Sequence, residues 1–433
     1  MLPAIHTPIP GPRSLALAAR LRQHESRNVT FLAEDWPIFW HRAEGTNVWD
    51  ADGNRFLDLT SAFGVAGLGH TRAEVRDALT AQATTLLHAM GDVHPTELKV
   101  QLCEQLSALT FERWGLGAGK VILGNSGFES IEAALKTAHL ATGKAGVIAF
   151  HGGYHGLGFG ALAVGGIPFF REPFRAQLAD FATLLPYPTG TLGTLHSQLE
   201  KAIAERPIGA ILVEPIQGRG GCVVPPPDFL PLLRRVCDEH KILLIADEIL
   251  TGFNRTGALF ASEHTRTTPD LNCLGKGLTS GFPLSACVGR ASTMDAWPPS
   301  TGEALHTSTF LGNPLGCAMS LASLALHSQP TLAHHVRQRG EKMTSALREI
   351  PSPHIGEIRG TGLMLGATIV HPDGTPDGTR AIALVQNALR HGLLLLADSP
   401  TAHVLSFTPA FTITDKEIAH TATWLREALA AEG

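Results

Sequence analysis

Short apolar runs alternate with longer mixed stretches through most of the chain. Lys120–Leu123, Gly146–Phe150, Ala210–Val213, Ile242–Ala246 and Leu271–Leu274 are too short for helices and read as buried strands. Thr96–Ser107, Glu129–Thr142, Asp228–His240 and Pro314–His327 read as helices between or beside them. Strand and helix taking turns from about 72 to 325 implies an α/β fold, with a mostly parallel sheet carrying helices on both faces. Ahead of this region, a helix is expected over about 14–25. Asn47–Asp58 reads as a hairpin with Asp52-Gly53 at its turn. Beyond it, two or three helices mix with strands at Leu363–Val370, Leu393–Leu396 and Val404–Thr408, a smaller α/β domain. The expected division is 1–70 as an N-terminal segment contributing to the small domain, 71–328 as the large domain, and 329–433 as the C-terminal small domain.

Composition narrows the class. With 433 residues, 44% of them hydrophobic and 17% charged, the chain has ample material for more than one core. A formal charge of −5, with no basic run, argues against nucleic acid as a partner. No apolar stretch reaches the ~18 residues of a membrane span. Six cysteines stand apart, without a CxxC pair, and read as reduced thiols, not as a disulfide frame or a zinc site. A cytoplasmic protein without a bound metal is expected.

The most informative residues are Asp247 and Lys276. The apolar run Leu243-Leu244-Ile245-Ala246 ends in Asp247-Glu248, and Leu271-Asn272-Cys273-Leu274 delivers Lys276 between Gly275 and Gly277. A strand ending in Asp puts a carboxylate at a pocket floor, and a second short strand brings one lysine to the same place. That pairing suits a cofactor with an aldehyde at one end and a pyridine nitrogen at the other. The lysine forms a Schiff base, and the carboxylate keeps the ring nitrogen protonated so that the ring withdraws electrons. The arrangement therefore points to pyridoxal 5′-phosphate (PLP).

Three further strand ends carry polar or glycine-rich sequence. Ser126-Gly127 lies between a short strand and a helix start, where backbone N–H groups face an anion. Gly115–Lys120 imitates a phosphate loop but is one residue short and has Val121 where Ser or Thr is required. His151-Gly152-Gly153-Tyr154-His155-Gly156 offers Tyr154, one of only two tyrosines, as a flat face for stacking on a ring. Its two histidines have a metal-like spacing, but the glycines between them oppose a helix. Glu214-Pro215-Ile216-Gln217-Gly218-Arg219 opens the third loop. Each signal alone fits an ordinary turn; ligands of open α/β sheets bind outside the carboxyl ends of strands, so together the loops can share one pocket.

These motifs resemble the class III (ω-type) aminotransferases of PLP fold type I. The resemblance runs from about Asn47 to the C-terminus. It is most specific in Asp-Glu-Ile-Leu-Thr-Gly-Phe-Asn-Arg-Thr-Gly (247–257) and Leu-Gly-Lys-Gly-Leu (274–278), supported by Asn-Ser-Gly-Phe-Glu (125–129) and Ser-Thr-Phe-Leu-Gly-Asn-Pro (308–314). It implies a large domain built on a seven-stranded sheet. Lys276 would carry the cofactor as an internal aldimine and shuttle the proton, and Asp247 would pair with the pyridine nitrogen. Tyr154 would stack on the ring beside His155, and Glu214 would stand behind it. Ser126, Gly127 and Phe128 would line the phosphate end. Thr309 would reach the phosphate of a neighbouring subunit, which implies a homodimer. The activity implied is ping-pong transfer of an amino group to a keto acid.

Departures from the family pattern bear on substrate. Leu157 stands where members using glutamate and 2-oxoglutarate commonly carry an arginine, and Ser406 stands in place of the carboxylate-gripping arginine of the C-terminal domain. Arg219 falls where a glutamate is usual, Leu250 where a glutamine is, and Phe128 where a hydroxyl residue is. Bidentate carboxylate recognition needs a guanidinium. Arg219 is therefore expected to bind a carboxylate from the other wall of the pocket, unless it only pairs with a surface acid. Leu157, Leu250 and Phe63 would make the remainder apolar, favouring an amine or monocarboxylic (ω- or α-) amino acid donor and an acceptor such as pyruvate. The competing reading is a racemase, epimerase or aminomutase on the same scaffold; a non-enzymatic binding protein is a third.

Overall fold

The computed structural model describes residues 1–30 and 36–431. Two compact units are formed, one by residues 73–334 and the other by 1–72 together with 335–433.

The unit of residues 73–334 is built on a seven-stranded sheet. Its strands are β1 (Gly119–Gly124), β2 (Gly146–Phe150), β3 (Ala182–Leu185), β4 (Ile208–Val213), β5 (Leu243–Asp247), β6 (Leu271–Leu274) and β7 (Ser285–Arg290). Their spatial order is β1-β7-β6-β5-β4-β2-β3. All pairs from β6 to β3 are parallel, and β7 alone runs against both its neighbours. The five strands anticipated from their apolar runs are present. The β3 and β7 strands were not anticipated: Ser285-Ala286-Cys287-Val288-Gly289-Arg290 is small and mixed, and β3 is an edge strand only partly buried.

Alternation along the strands divides the core into two layers. Ile148, Phe150, Ile211, Val213 and Leu244 face one way and pack with Leu195 and Leu199 of helix Leu195–Glu205 and with Leu233 and Val236 of helix Phe229–His240. Val147, Ala149, Ala210, Leu212 and Ile245 face the other way, against Ile131, Ala134 and Ala138 of helix Gly127–Thr142. Burial on both faces is why these strands lack a polar side, and it fixes the register that aligns their carboxyl ends.

In the other unit, strands Trp40–Glu44, Asn47–Asp50 and Arg55–Asp58 form a meander extended by Leu393–Leu394. Asn47 pairs with Leu57 across the expected hairpin, and Gly53 takes the left-handed φ of +88° at its turn. A second sheet orders Ile355–Thr361, Met364–Ile369, Val404–Phe407 and Leu396–Asp398, accompanied by helices Gly378–Arg390 and Asp415–Ala431. Among the described residues no helix is long and apolar enough to cross a membrane.

Ile245 is fully buried in the middle of the large sheet. Truncating Ile245→Ala is expected to destabilise the protein by about 2–5 kcal/mol, read as a lower denaturant midpoint without a change in slope.

Candidate active site

The carboxyl ends of β5 and β6 lie side by side, with Asp247 paired in register with Cys273. This places Asp247 one strand away from the Gly275-Lys276 step that follows β6. Lys276 opens a short 3-10 turn at φ +42°, a left-handed conformation that a non-glycine residue seldom holds, and it is half-buried. Such strain is characteristic of functional positions, where the surroundings over-determine the backbone.

Asp247 is 4% exposed and anchored on both oxygens. Oδ1 accepts the Ile249 N–H at 3.1 Å, and Oδ2 lies 2.7 Å from Nδ1 of the buried His155 ring. Burial works against a charged imidazole. The Asp247 hydrogen bond and charge, reinforced by Glu214, outweigh it and raise the His155 pKa. Glu214 sits behind this pair at the end of β4. Its oxygens accept Tyr154 N–H at 2.8 Å and Gly218 N–H at 3.0 Å, tying together the loops after β2 and β4. Desolvation pushes its pKa up to about 7, with Asp247 adding to the rise and the His155 cation and the two N–H bonds opposing it. Two carboxyl groups and one imidazole thus share a buried pocket.

Residues 151–158 form no helix, consistent with their glycines. Gly156 has φ +105°, and a Cβ there would stand 2.4 Å from Phe128 Cβ. Only glycine lets this loop lie against the start of helix Gly127–Thr142. Gly127 is pressed in the same way against Ile249, whose side chain would meet an added Cβ at 3.0 Å. The helix start, the Tyr154 loop and the Asp247 loop are therefore in mutual contact. Glu129 accepts the Ser126 N–H at 3.0 Å, while the buried Ser126 hydroxyl oxygen has no hydrogen-bond partner among the described residues. An orphaned buried hydroxyl beside a helix N-terminus suits an anionic group. With the buried carboxyl group of Asp247, a lysine one strand away and the ring of Tyr154, the residues present fit PLP.

The remaining expected residues take these places. Leu250 is half-buried against the backbone of Gly218, while Leu157 is half exposed and Phe128 is 37% exposed. Thr309 lies on an exposed loop whose next residue back, Ser308, accepts from Asn125 Nδ2 at 3.0 Å. Arg219 has its guanidinium carbon 5.3 Å from the centre of the Tyr154 ring and 5.4 Å from that of Phe170. Phe63 and Ser406 belong to the unit of residues 1–72 and 335–433. Phe63 is 62% exposed and lies in a run of left-handed residues from Ser61 to Gly64, which is held by hydrogen bonds from Thr60 and Ala62 to the buried Asp58. Ser406 is buried in strand Val404–Phe407 between Gly366 and Leu396.

Three participants escaped the sequence. Phe170, from the Pro168-Phe169-Phe170 run, packs edge-on to Tyr154 at 5.4 Å; consecutive aromatics were the available signal. Tyr187 donates to the carbonyls of Glu214 and Pro215, and Ser285 Oγ donates to the Ser126 carbonyl at 2.7 Å. Neither has a motif of its own.

A fold-type-I sheet with lysine, carboxylate and anion site at its carboxyl edge defines the class as PLP-dependent enzymes. Comparison with known proteins sharpens it. The model of the class III aminotransferases matches residues 31–429. The 4-aminobutyrate aminotransferase of Mycobacterium tuberculosis (strain H37Rv) is 36% identical over 437 residues, covering 95% of this chain and 94% of its own. The 2-aminoadipate transaminase of Pseudomonas putida is 35% identical over 392 residues, covering 87% and 92%. A solved PLP-bound amine transaminase from an uncultivated Pseudomonas species superposes with a TM-score of 0.86 at 29% identity, covering 95% and 99%. The chain belongs to the class III aminotransferases and is a PLP-dependent transaminase; an isomerase is not favoured.

The buried acids give the site a pH signature. Glu214 binds its proton more tightly folded than unfolded, so stability falls as pH rises from about 4.5 to about 7 and is level above. His155 works the same way, its contribution being present below 6.5 and lost as pH passes its raised value. In Glu214→Gln the decline between about 4.5 and 7 should flatten in melting temperature measured against pH. An unchanged slope would show that Glu214 titrates normally.

Proposed function

We propose that this aminotransferase takes its amino group from an amine or a monocarboxylic amino acid and passes it to a small keto acid such as pyruvate. The carrying observation for the chemistry is the alignment of Asp247 and Lys276 on adjacent strand ends, with His155 bonded to Asp247. Bound PLP supplies an electron-accepting ring that makes the C–H bond beside the substrate nitrogen acidic. Lys276 would hold the cofactor and supply the amine that moves the proton at that carbon. Asp247 would pair with the ring nitrogen, and His155, 2.7 Å from its Oδ2, orients this carboxylate. Tyr154 covers one ring face. Ser126 and the N–H groups from Gly127 onward would hold the phosphate, beside Phe128, and Glu214 locks the Tyr154 loop to the β4 loop.

Leu157 and Leu250 support the substrate class, since neither pairs with a second carboxylate, and burying one unpaired is costly. In the same reading Ser406, in place of the family's carboxylate-gripping arginine, offers no guanidinium to a second carboxylate, and Phe63 adds an apolar side chain. A homodimer with Thr309 reaching the neighbouring site is supported by the apolar surface beside it. Leu87, Met90, Val93, Leu305 and Phe310 are each about 60% exposed or more, an uncommon concentration for a lone monomer. Six free cysteines, five of them buried, support a reducing, cytoplasmic setting.

The test is a spectral titration of holoenzyme with amines and amino acids in the absence of acceptor. Monocarboxylic donors or amines should convert the cofactor to its amino form, and pyruvate should restore it. Loss of optical purity without that conversion would overturn the reading in favour of an isomerase. Lys276→Ala should slow donor conversion by a factor on the order of 10² or more while bound cofactor remains detectable.

A further inference from the structure

Four side chains of the kind that bind metals, none of them part of the site around Asp247, meet between two helices of the 73–334 unit. His196 and Glu200 stand four residues apart on helix Leu195–Glu205, and Glu239 and His240 close helix Phe229–His240. A spacing of four puts His196 and Glu200 on one face of their helix. Each follows by one position a leucine, Leu195 or Leu199, that is buried in the same core layer as Leu233 and Val236 of the other helix. The two backbones are therefore held in place by packing, and the polar side chains stand at the edge of the buried face.

Their separations are those of a coordination shell. One ligand atom each from His196, Glu200 and Glu239 lies within 4.8 Å of the other two. Nε2 of His196 is 3.6 Å from Oε1 of Glu200, and Nε2 of His240 is 3.0 Å from the same oxygen and 3.1 Å from Oε2. Zinc holds nitrogen and oxygen ligands at about 2.0–2.2 Å in a tetrahedron, which sets the ligand atoms about 3.3–3.6 Å apart. The His196–Glu200 distance is at that edge length, and Glu239, exposed at its helix end, can turn its carboxylate to meet it. Charge favours a cation as well. Among the described residues neither Glu200 nor Glu239 has a lysine or arginine within ion-pair reach, whereas Glu205, further along the first helix, is paired with Lys201 at 3.6 Å. Two carboxylates this close repel each other, and a divalent ion between them would reverse that balance.

We infer that His196, Glu200 and Glu239 form a Zn²⁺ site that clasps helices Leu195–Glu205 and Phe229–His240, with water at the fourth position. Imidazole together with carboxylates suits zinc better than magnesium or calcium, which take oxygen ligands. His240, hydrogen-bonded to Glu200 through Nε2, orients that carboxylate toward the ion. The ion supplies no chemistry to amino-group transfer. It binds a constellation that exists only when both helices are folded and packed, and so stabilises the folded chain by mass action. The metal-free expectation came from the scattered cysteines and the His151–His155 spacing, and this cluster involves neither.

The deciding experiment is calorimetric titration of chelator-treated holoenzyme with ZnCl2, and with MgCl2 in parallel. Wild type should show one zinc-binding event per chain that His196→Ala and Glu239→Gln each weaken at least about tenfold, the lower end of what losing even an orienting partner costs. Both positions are exposed, so neither variant endangers folding. His240→Gln should weaken the same event by about tenfold. MgCl2 should bind more weakly than ZnCl2 to wild type. ZnCl2 should raise the melting temperature of wild type and leave that of His196→Ala unmoved. His24→Ala removes an exposed histidine of another helix and should change neither reading. Absence of zinc binding, or zinc affinity unchanged in both His196→Ala and Glu239→Gln, would overturn the inference. So would an equal loss in His24→Ala, which would mark the binding as adventitious capture by exposed imidazoles, or a preference for magnesium.

Discussion

The buried pair of Asp247 and His155 is the constraint on which the site depends. Asp247 ends a central strand with almost no solvent contact, where an isolated carboxylate would shed its charge. The His155 ring, 2.7 Å away and with a raised pKa, leaves the carboxyl group paired. Removing one partner of such a pair typically costs about 3–5 kcal/mol, because the other is left charged and alone. The pair thus joins the end of β5 to the loop after β2, and the orientation of the carboxylate is set by a residue from another loop.

That dependence propagates outward. His155 can reach Asp247 only if the 151–158 loop lies flat against the helix start, which needs glycine at 156. Its neighbour Tyr154 is tied by its N–H to Glu214, and Glu214 in turn holds Gly218. Gly218 begins the turn that carries Arg219. A single chain of contacts therefore runs from Asp247 to the turn that carries Arg219. Because Glu214 is drawn toward neutrality by burial, it ties the loops together without adding a full second negative charge near neutral pH.

The sequence made the frame of this site legible because the frame is local. An apolar run ending in Asp, a lysine between glycines, and Ser-Gly ahead of a helix each announce themselves within a few residues, and their parallel strands follow from the alternation with helices. What stayed hidden depends on distance. Phe170 meets Tyr154 from 16 positions away, with nothing in Pro168-Phe169-Phe170 to say which ring turns inward. The bond from His155 to Asp247 spans 92 positions, and nothing in the sequence beside His155 names Asp247 as its partner. Strand β7 was missed because small residues suit a crowded antiparallel strand between two neighbours, yet carry little hydrophobic signal. Phe63 and Ser406 were singled out by family pattern alone; their left-handed turn and strand register were not readable from composition.

The measurement that bears most directly on the account is the site of cofactor attachment. Holoenzyme reduced with borohydride, digested and examined by mass spectrometry should carry the cofactor mass on the peptide containing Lys276, and the Lys276→Ala variant should carry none. Attachment to another lysine, or to no residue in a protein that otherwise binds PLP, would contradict the assignment of Lys276 and, with it, the site built around Asp247.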